Sequence, residues 1–232
     1  MIPPHAKTPK IAFSAITGGP LDVLRSVHSL THNACGQCFL FCDHSGGICA
    51  MTPCLINTPV LTTERLTLRA PQAADFDAIA PFITSDRARF VGGGADKDIG
   101  HAWRILAIFA GHWQLRGTGV FIMADRQTDR PIGSVGPWYP GDWPEQELGW
   151  SVWSPADEGK GYAHEAILRL RRHTYADLGW TTAVSYIDAR NTRSLALARR
   201  LGCTRDEAAP RPKSDEPIEV WRHPAPSEVL AA

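Results

Sequence analysis

The sequence predicts an α/β sandwich on a mixed, largely antiparallel sheet rather than a doubly wound parallel one. Two observations carry this. The element order reads strand, helix, helix, hairpin, strand, glycine turn, helix, strand, helix, strand, and its antiparallel front precedes a strand-helix-strand unit. The chain has 232 residues with 44% hydrophobic content, enough for one substantial core and an appendage but cramped for two domains.

The elements follow in order. In "ERLTLRA" alternation gives a strand with Leu66 and Leu68 on one face, and after Pro71 a helix runs through Phe76, Ile79, Ala80 and Ile83. "HAWRILAIFAGHWQLRG" repeats apolar side chains at Trp103, Ile105, Leu106, Ile108, Phe109 and Trp113, and Gly117 and Gly119 close that second helix. "GVFIMADRQTDRPIGSVGPWY" is a hairpin turning through Gln127, Thr128 and Asp129. A loop rich in proline and tryptophan leads to the strand "ELGWSVW". In "EGKGYAHEAILRLRRH" a helix opens near Tyr162, with Ala163, Ala166, Ile167 and Leu170 on its apolar face and Arg169, Arg171 and Arg172 falling away. "TAVSYIDA" is a strand, "NTRSLALARRLG" a helix closed by Gly202, and "PIEVWRH" a last strand.

Lysine plus arginine equals aspartate plus glutamate at 24 each, so net charge argues for neither nucleic acid nor an anionic membrane as partner. No run reaches the roughly 20 apolar residues of a spanning helix, and prolines in "MIPPHAKTPK" interrupt any secretory signal. The expectation is a cytoplasmic protein. Five of the six cysteines, Cys35, Cys38, Cys42, Cys49 and Cys54, cluster near the N-terminus. An odd cluster without a secretion signal is not a disulfide framework. The Cys35 and Cys38 spacing admits a metal site with Cys42, His44, Cys49, His28 and His32 nearby, but the second tight pair of a zinc knuckle is absent, and no metal is expected. Residues 1–55 read instead as an extension, a disordered leader or sequence upstream of a start at Met51.

The quoted glycine turn carries the chemistry. Gly159 and Gly161 either permit a tight strand-to-helix turn or let the backbone approach a ligand, where unpaired N–H groups of the first helical turn attract an anion such as pyrophosphate. Lys160 adds a positive charge or points to water.

"ELGWSVWSPADEGKGYAHEA", "YIDARNTRSLALARRLG" and "LTTERLTLRAP" together resemble, in content and order, the GNAT superfamily of acetyl-CoA-dependent N-acetyltransferases, in the branch of ribosomal-protein alanine acetyltransferases. The likeness covers about 56–224 and places a GNAT domain at 56–226 with a tail at 227–232. The turn pattern of the family matches at Gly161 and Ala163, whereas Glu158 stands where glutamine or arginine is usual. The resemblance implies roughly six to seven strands, with a splay between two parallel central strands, and about four flanking helices. It also implies acetyl-CoA as cosubstrate. Backbone around Glu158, Gly159, Lys160, Gly161, Tyr162 and Ala163 would wrap its pyrophosphate, and the strand Trp150 to Trp153, Val152 and Trp153 above all, would hold the pantetheine arm. The Val152 N–H would polarise the thioester carbonyl, and Asn191 would contact the pantetheine side.

Direct acetyl transfer to an amine needs orientation, a proton route and release of the thiolate. Glu147 matches a family position able to take the proton, or else serves a structural ion pair. Asp142 and Glu145 are less favoured substitutes. The family's frequent tyrosine acid is missing from "NTRSLALARR", and Ser194 is the matching hydroxyl, either general acid or helix cap. Trp138 and Trp143 either wall an acceptor pocket or pack their loop against the core. The implied partners are acetyl-CoA and a primary amine, on a monomer or homodimer, and the competing readings are a non-catalytic acyl-CoA-binding module and a metal-binding or redox regulatory role for the N-terminal cysteines.

Overall fold

The computed structural model describes residues 55–231. The cysteine cluster, the proposed leader and the candidate start at Met51 lie outside them. Eight strands form one sheet in the order β1, β2, β3, β4, β5, β6, β8, β7. They are β1 (Leu61–Thr62), β2 (Leu66–Arg69), β3 (Phe121–Asp125), β4 (Pro131–Trp138), β5 (Glu147–Val152), β6 (Val184–Asp188), β7 (Thr204–Arg205) and β8 (Ile218–Arg222). Every pairing is antiparallel except that of β5 with β6. The excess over the expected strand number comes from β1 and β7, two residues each and too short for a periodic signal.

Among the described residues there are five α-helices, α1 (Phe76–Ile83), α2 (Ile99–Arg116), α3 (Tyr162–Ala176), α4 (Thr192–Arg200) and α5 (Pro226–Leu230), the last packed on α3. Strand alternation sorts side chains into two cores. Phe121 and Met123 of β3 join Leu66, Leu68, Leu148, Ile187 and Trp221 against Ala166, Ile167 and Leu170 of α3 and Leu195 and Ala198 of α4. Ile122 faces the other way, onto Ile79, Phe82 and Ile83 of α1 and Ala102 of α2. Gly117 ends α2 in the left-handed region at φ 69°, as the sequence predicts. The end of the chain folds as α5, whose Val229 packs against the α3 and α4 core.

Two expectations change. Arg171 does not fall away from the apolar face of α3: it is buried, and its Nη1 donates to Leu201 C=O at 2.7 Å. It follows Leu170 at the edge of the stripe, where the carbonyl ending α4 offers an acceptor. On α2, Trp103 and Ile108 are 55% and 48% exposed, because the face toward the cores runs through Ala102, Ile105, Leu106, Phe109 and Trp113. Among the described residues no helix is long and apolar enough to cross a membrane.

A buried ion pair ties β2 to the start of α1. Arg69 Nη1 and Nη2 each donate to Asp75 at 2.9 Å, and Arg69 Nε donates to Asp129 of the hairpin turn at 2.9 Å. Asp75 also accepts from Gln72 N–H at 2.8 Å. Asp75→Ala removes two of the three carboxylate bonds of a buried guanidinium, leaving Asp129 as its remaining counter-charge, and is expected to cost about 2–4 kcal/mol, read as a fall in the urea midpoint; a loss near zero would contradict this role.

Candidate active site

The site begins where the central ladder fails. Val184 N–H donates to Gln146 C=O at 3.0 Å, and β5 pairs with β6 only at Glu147 and Val184. The next parallel rung would join Tyr186 N–H to Leu148 C=O. Instead, Ser185 Oγ donates to Leu148 C=O at 2.6 Å, and Tyr186 N–H reaches the Glu147 carboxylate at 3.4 Å. Behind this rung His223 Nε2 lies 3.0 Å from Ser185 Oγ, and Cys203 Sγ lies 3.4 Å from His223 Nδ1. Because the Ser185 proton goes to Leu148, the chain is directed from thiol to imidazole to hydroxyl to carbonyl. Burial keeps that imidazole neutral, lowering its pKa to about 3.

Beyond the rung the strands part. Trp153 N–H donates to Ile132 C=O of β4 at 2.9 Å, so by alternation the Val152 N–H and C=O face the gap. Arg87 reaches across it and donates to Val152 C=O at 3.1 Å. Val152 thus presents backbone to the gap; Trp153 does not, its indole being buried with α1 and donating to Ser151 Oγ at 3.0 Å.

After β5, Ser154 caps a short 3-10 turn, Pro155–Asp157, and the glycine turn follows. Gly159 and Gly161 have φ of 74° and 83°, conformations that L side chains rarely adopt. The first bond of α3 runs from Glu165 N–H to Gly161 C=O at 3.0 Å, leaving the N–H groups of Tyr162, Ala163 and His164 without helical partners. Arg65 braces the turn: its Nη1 donates to Lys160 C=O at 3.0 Å, its Nε to Glu165 at 2.7 Å, and its guanidinium lies 4.7 Å over the Tyr162 ring.

Both acids before the turn are accounted for. Asp157 is buried and bound by Arg130 at 2.8 and 3.0 Å, which holds its carboxyl below the usual range, and Lys160 Nζ stands 3.6 Å from it. Glu158 lies at the mouth, held by Arg87 at 2.7 Å and by Arg193 at 2.8 and 2.9 Å. The cleft there has a volume of about 930 Å³, and its lining carries Arg87, Arg89, Arg190 and Arg193 against Asp86 and Glu158, a cationic balance suited to phosphates. Val152, Gly159, Ala163 and Asn191 also line it.

A second cavity of about 500 Å³ opens on the other side of the gap, between α1, α2 and the sheet. Glu147, Trp138 and Trp143 line it. Trp143 Nε1 donates to Glu147 at 2.7 Å, and its ring stands edge-on to Trp138 at 6.3 Å and Tyr186 at 5.9 Å. Burial pushes the Glu147 carboxyl up to about 7, against the pull of the Trp143 and Tyr186 N–H donors. His112 stacks on Trp138 at 5.2 Å and accepts from Tyr139 N–H at 3.0 Å, which steadies the aromatic wall.

Ser194 sits where the two cavities meet. Asn191 Oδ1 accepts from Ser194 N–H at 3.2 Å, so Asn191 is the cap of α4. Ser194 Oγ accepts from Trp150 Nε1 at 3.2 Å, which leaves its own proton to donate. Arg87, Ser185, Tyr186 and Arg193, and the indole of Trp150 as a donor to Ser194, belong to this constellation but are not among the roles read from the sequence. Arg87 sits in an aperiodic turn, and the others read as ordinary strand or helix residues until the strands separate.

The family model for an acetyltransferase (GNAT) domain matches residues 65–204. The chain belongs to the GNAT acetyltransferase family. An acetyltransferase from Agrobacterium tumefaciens str. C58 is 36% identical over 75% of this chain and 98% of its own, with a TM-score of 0.66. The ribosomal-protein-S5-alanine acetyltransferase of Vibrio fischeri aligns over 71% of this chain and 96% of its own at 14% identity and a TM-score of 0.53. The microcin C7 self-immunity acetyltransferase, solved with acetyl-CoA and AMP, aligns over 69% and 92% at 16% identity and a TM-score of 0.54. At these last two identities the likeness is one of fold. No curated protein matches the chain.

In this GNAT domain the Trp143 indole is the nearest neutral donor to the Glu147 carboxylate. Trp143→Phe removes it and keeps the ring, so the Glu147 pKa is expected to rise above its value of about 7. Carboxyl-carbon NMR titration reads this; an unchanged or lower value would contradict the geometry.

Proposed function

We propose that the protein is an acetyl-CoA-dependent N-acetyltransferase that moves an acetyl group directly from coenzyme A to a primary amine, on a protein N-terminus or a small molecule. The observation that carries the reading is the meeting of two unlike cavities, one cationic and one apolar, at a shared wall of Trp150, Ser151, Asn191 and Ser194 beside the strand gap.

Acetyl-CoA would supply an activated acetyl thioester. The free N–H groups at the start of α3, with Arg87 and Arg193, would hold its phosphates. Phosphate oxygens would compete with the Glu158 carboxylate for those two arginines, so Glu158 acts as an internal stand-in for an anion. Val152 N–H would donate to the thioester carbonyl as charge develops on its oxygen. Glu147, with a pKa of about 7, would take a proton from the substrate ammonium and so free the nitrogen lone pair that attacks the thioester. As the tetrahedral intermediate collapses, its nitrogen loses its remaining extra proton and Ser194 would relay a proton to the departing sulfur, ending as a neutral hydroxyl. The fold family's fit to the cosubstrate rests on the unpaired N–H groups and on glycines whose φ no side chain would tolerate well.

Steady-state release of coenzyme A tests the reading. Glu147 is competent as the carboxylate, so kcat/KM is expected to rise with pH through about 7 and level above it. Glu147→Gln is expected to lower kcat/KM by about 10²- to 10⁴-fold and to remove that acid limb. Ser194→Ala is expected to lower kcat by about tenfold or more. Turnover untouched by both changes would refute the site.

The second reading, an acyl-CoA-binding module without turnover, is favoured by one observation, the two arginine contacts that Glu158 makes across the cradle. Glu158→Gln is expected to tighten coenzyme A about three- to tenfold at low salt by freeing Arg87 and Arg193. Binding without turnover of any amine would select that reading.

A further inference from the structure

We infer that the acceptor is a small primary monoamine with an aromatic or branched apolar body, an assignment that rests on the acetyl-transfer reading above. The charged residues lining the cavity of about 500 Å³ are Glu147, Asp188 and Lys213. Asp188 is already bound by Arg190, at 2.9 Å through Nε and 2.6 Å through Nη2. One free carboxylate therefore faces the acceptor, and Lys213 repels further positive charge.

The rest of the wall is mostly carbon. Phe82 and Ile83 of α1, Ile105, Ile108 and Phe109 of α2, and the Trp138 ring surround the space beyond Glu147. A second ammonium of a polyamine or an aminoglycoside placed among Phe82, Ile83 and Phe109 would lose its water there without gaining a partner, at a steep cost. A peptide would carry backbone N–H and C=O groups with the same difficulty. Of the hydroxyls, Ser134 and Ser151 pair with each other at 2.8 Å and Ser185 donates to Leu148, while the Tyr186 hydroxyl is buried without a partner and the Ser194 proton is free, both close to Glu147 rather than among the apolar side chains of α1 and α2. The aromatic side chains of Trp143 and Tyr186 lie beside Glu147, an apolar setting in which one carboxylate suits a single ammonium before it loses its proton. The volume fits a one- or two-ring body, as small-molecule pockets do.

The test compares kcat/KM of the full chain with acetyl-CoA for 2-phenylethylamine, ethylamine, spermidine and a tetrapeptide with a free N-terminus. The aromatic amine is expected to exceed ethylamine by about 30-fold, from burial of its ring, and to exceed spermidine and the peptide as well. Ile108→Glu adds a second carboxylate at a position that is 48% exposed and so tolerates charge. It is expected to lower turnover of 2-phenylethylamine and to raise that of spermidine, a reversal that a purely structural defect would not produce.

Calorimetry with acetyl-CoA separates the two levels. If acetyl-CoA binds and spermidine, the peptide or ethylamine matches or outruns 2-phenylethylamine, or no amine is acetylated, the acceptor assignment is overturned while cosubstrate binding stands. If folded protein binds no acetyl-CoA, both fall.

Discussion

A single missing rung between β5 and β6 organises the molecule. The strands are held together at Glu147 and Val184, and one residue further the backbone groups that should meet are each given to a side chain: Leu148 C=O to Ser185, Tyr186 N–H to Glu147. Buried backbone groups must find partners, and these two substitutions let the sheet open without leaving an orphan at the break. The directed chain from Cys203 through His223 to Ser185 fixes that break from behind. The same substitution puts a carboxylate at the base of the opening, where burial raises its pKa toward neutrality. The structural repair and the candidate base are thus one residue.

The charges around the glycine turn follow a related logic. Asp157 and Glu158 precede a helix start, where negative charge is favoured by the macrodipole. Asp157 is drawn back by Arg130 into a buried pair. Glu158 stays at the mouth but is shared between Arg87, from the turn after α1, and Arg193, from α4. Three elements far apart in sequence therefore meet on one carboxylate. An arriving phosphate would inherit a charge environment already assembled. On the opposite side, the α1 and α2 layer brings almost only carbon to the cavity, so charge recognition and apolar packing are separated by the width of one strand.

Much of this was legible in the residues. Alternation at Leu66 and Leu68 and the stripe through Ala163, Ala166, Ile167 and Leu170 identified a strand and a helix by period alone, and Gly161 marked the start of α3. Gly159 stood out in the glycine turn itself, Glu147, Val152, Asn191 and Ser194 came through the family resemblance, and all five lie along one gap. What escaped was long-range. Arg87 and Glu158 are neighbours only because the turn after α1 lies over β5. Arg171 reads as a surface arginine until α4 delivers the Leu201 carbonyl beside it. Ser185 looks like any small residue in a strand, since its role exists only where the ladder breaks. Local periodicity carries no information about which partner strand is absent.

If the open edge of β5 is where the cosubstrate lies, the Val152 amide reports its arrival. Residue-resolved amide hydrogen exchange at Val152, with and without acetyl-CoA, tests this most directly. The account expects a Val152 amide that exchanges readily in the free protein and slows about tenfold or more when acetyl-CoA is bound, while Trp153, already donating to Ile132, changes little. A Val152 amide protected in the free protein, or one unaffected by saturating acetyl-CoA, would contradict it.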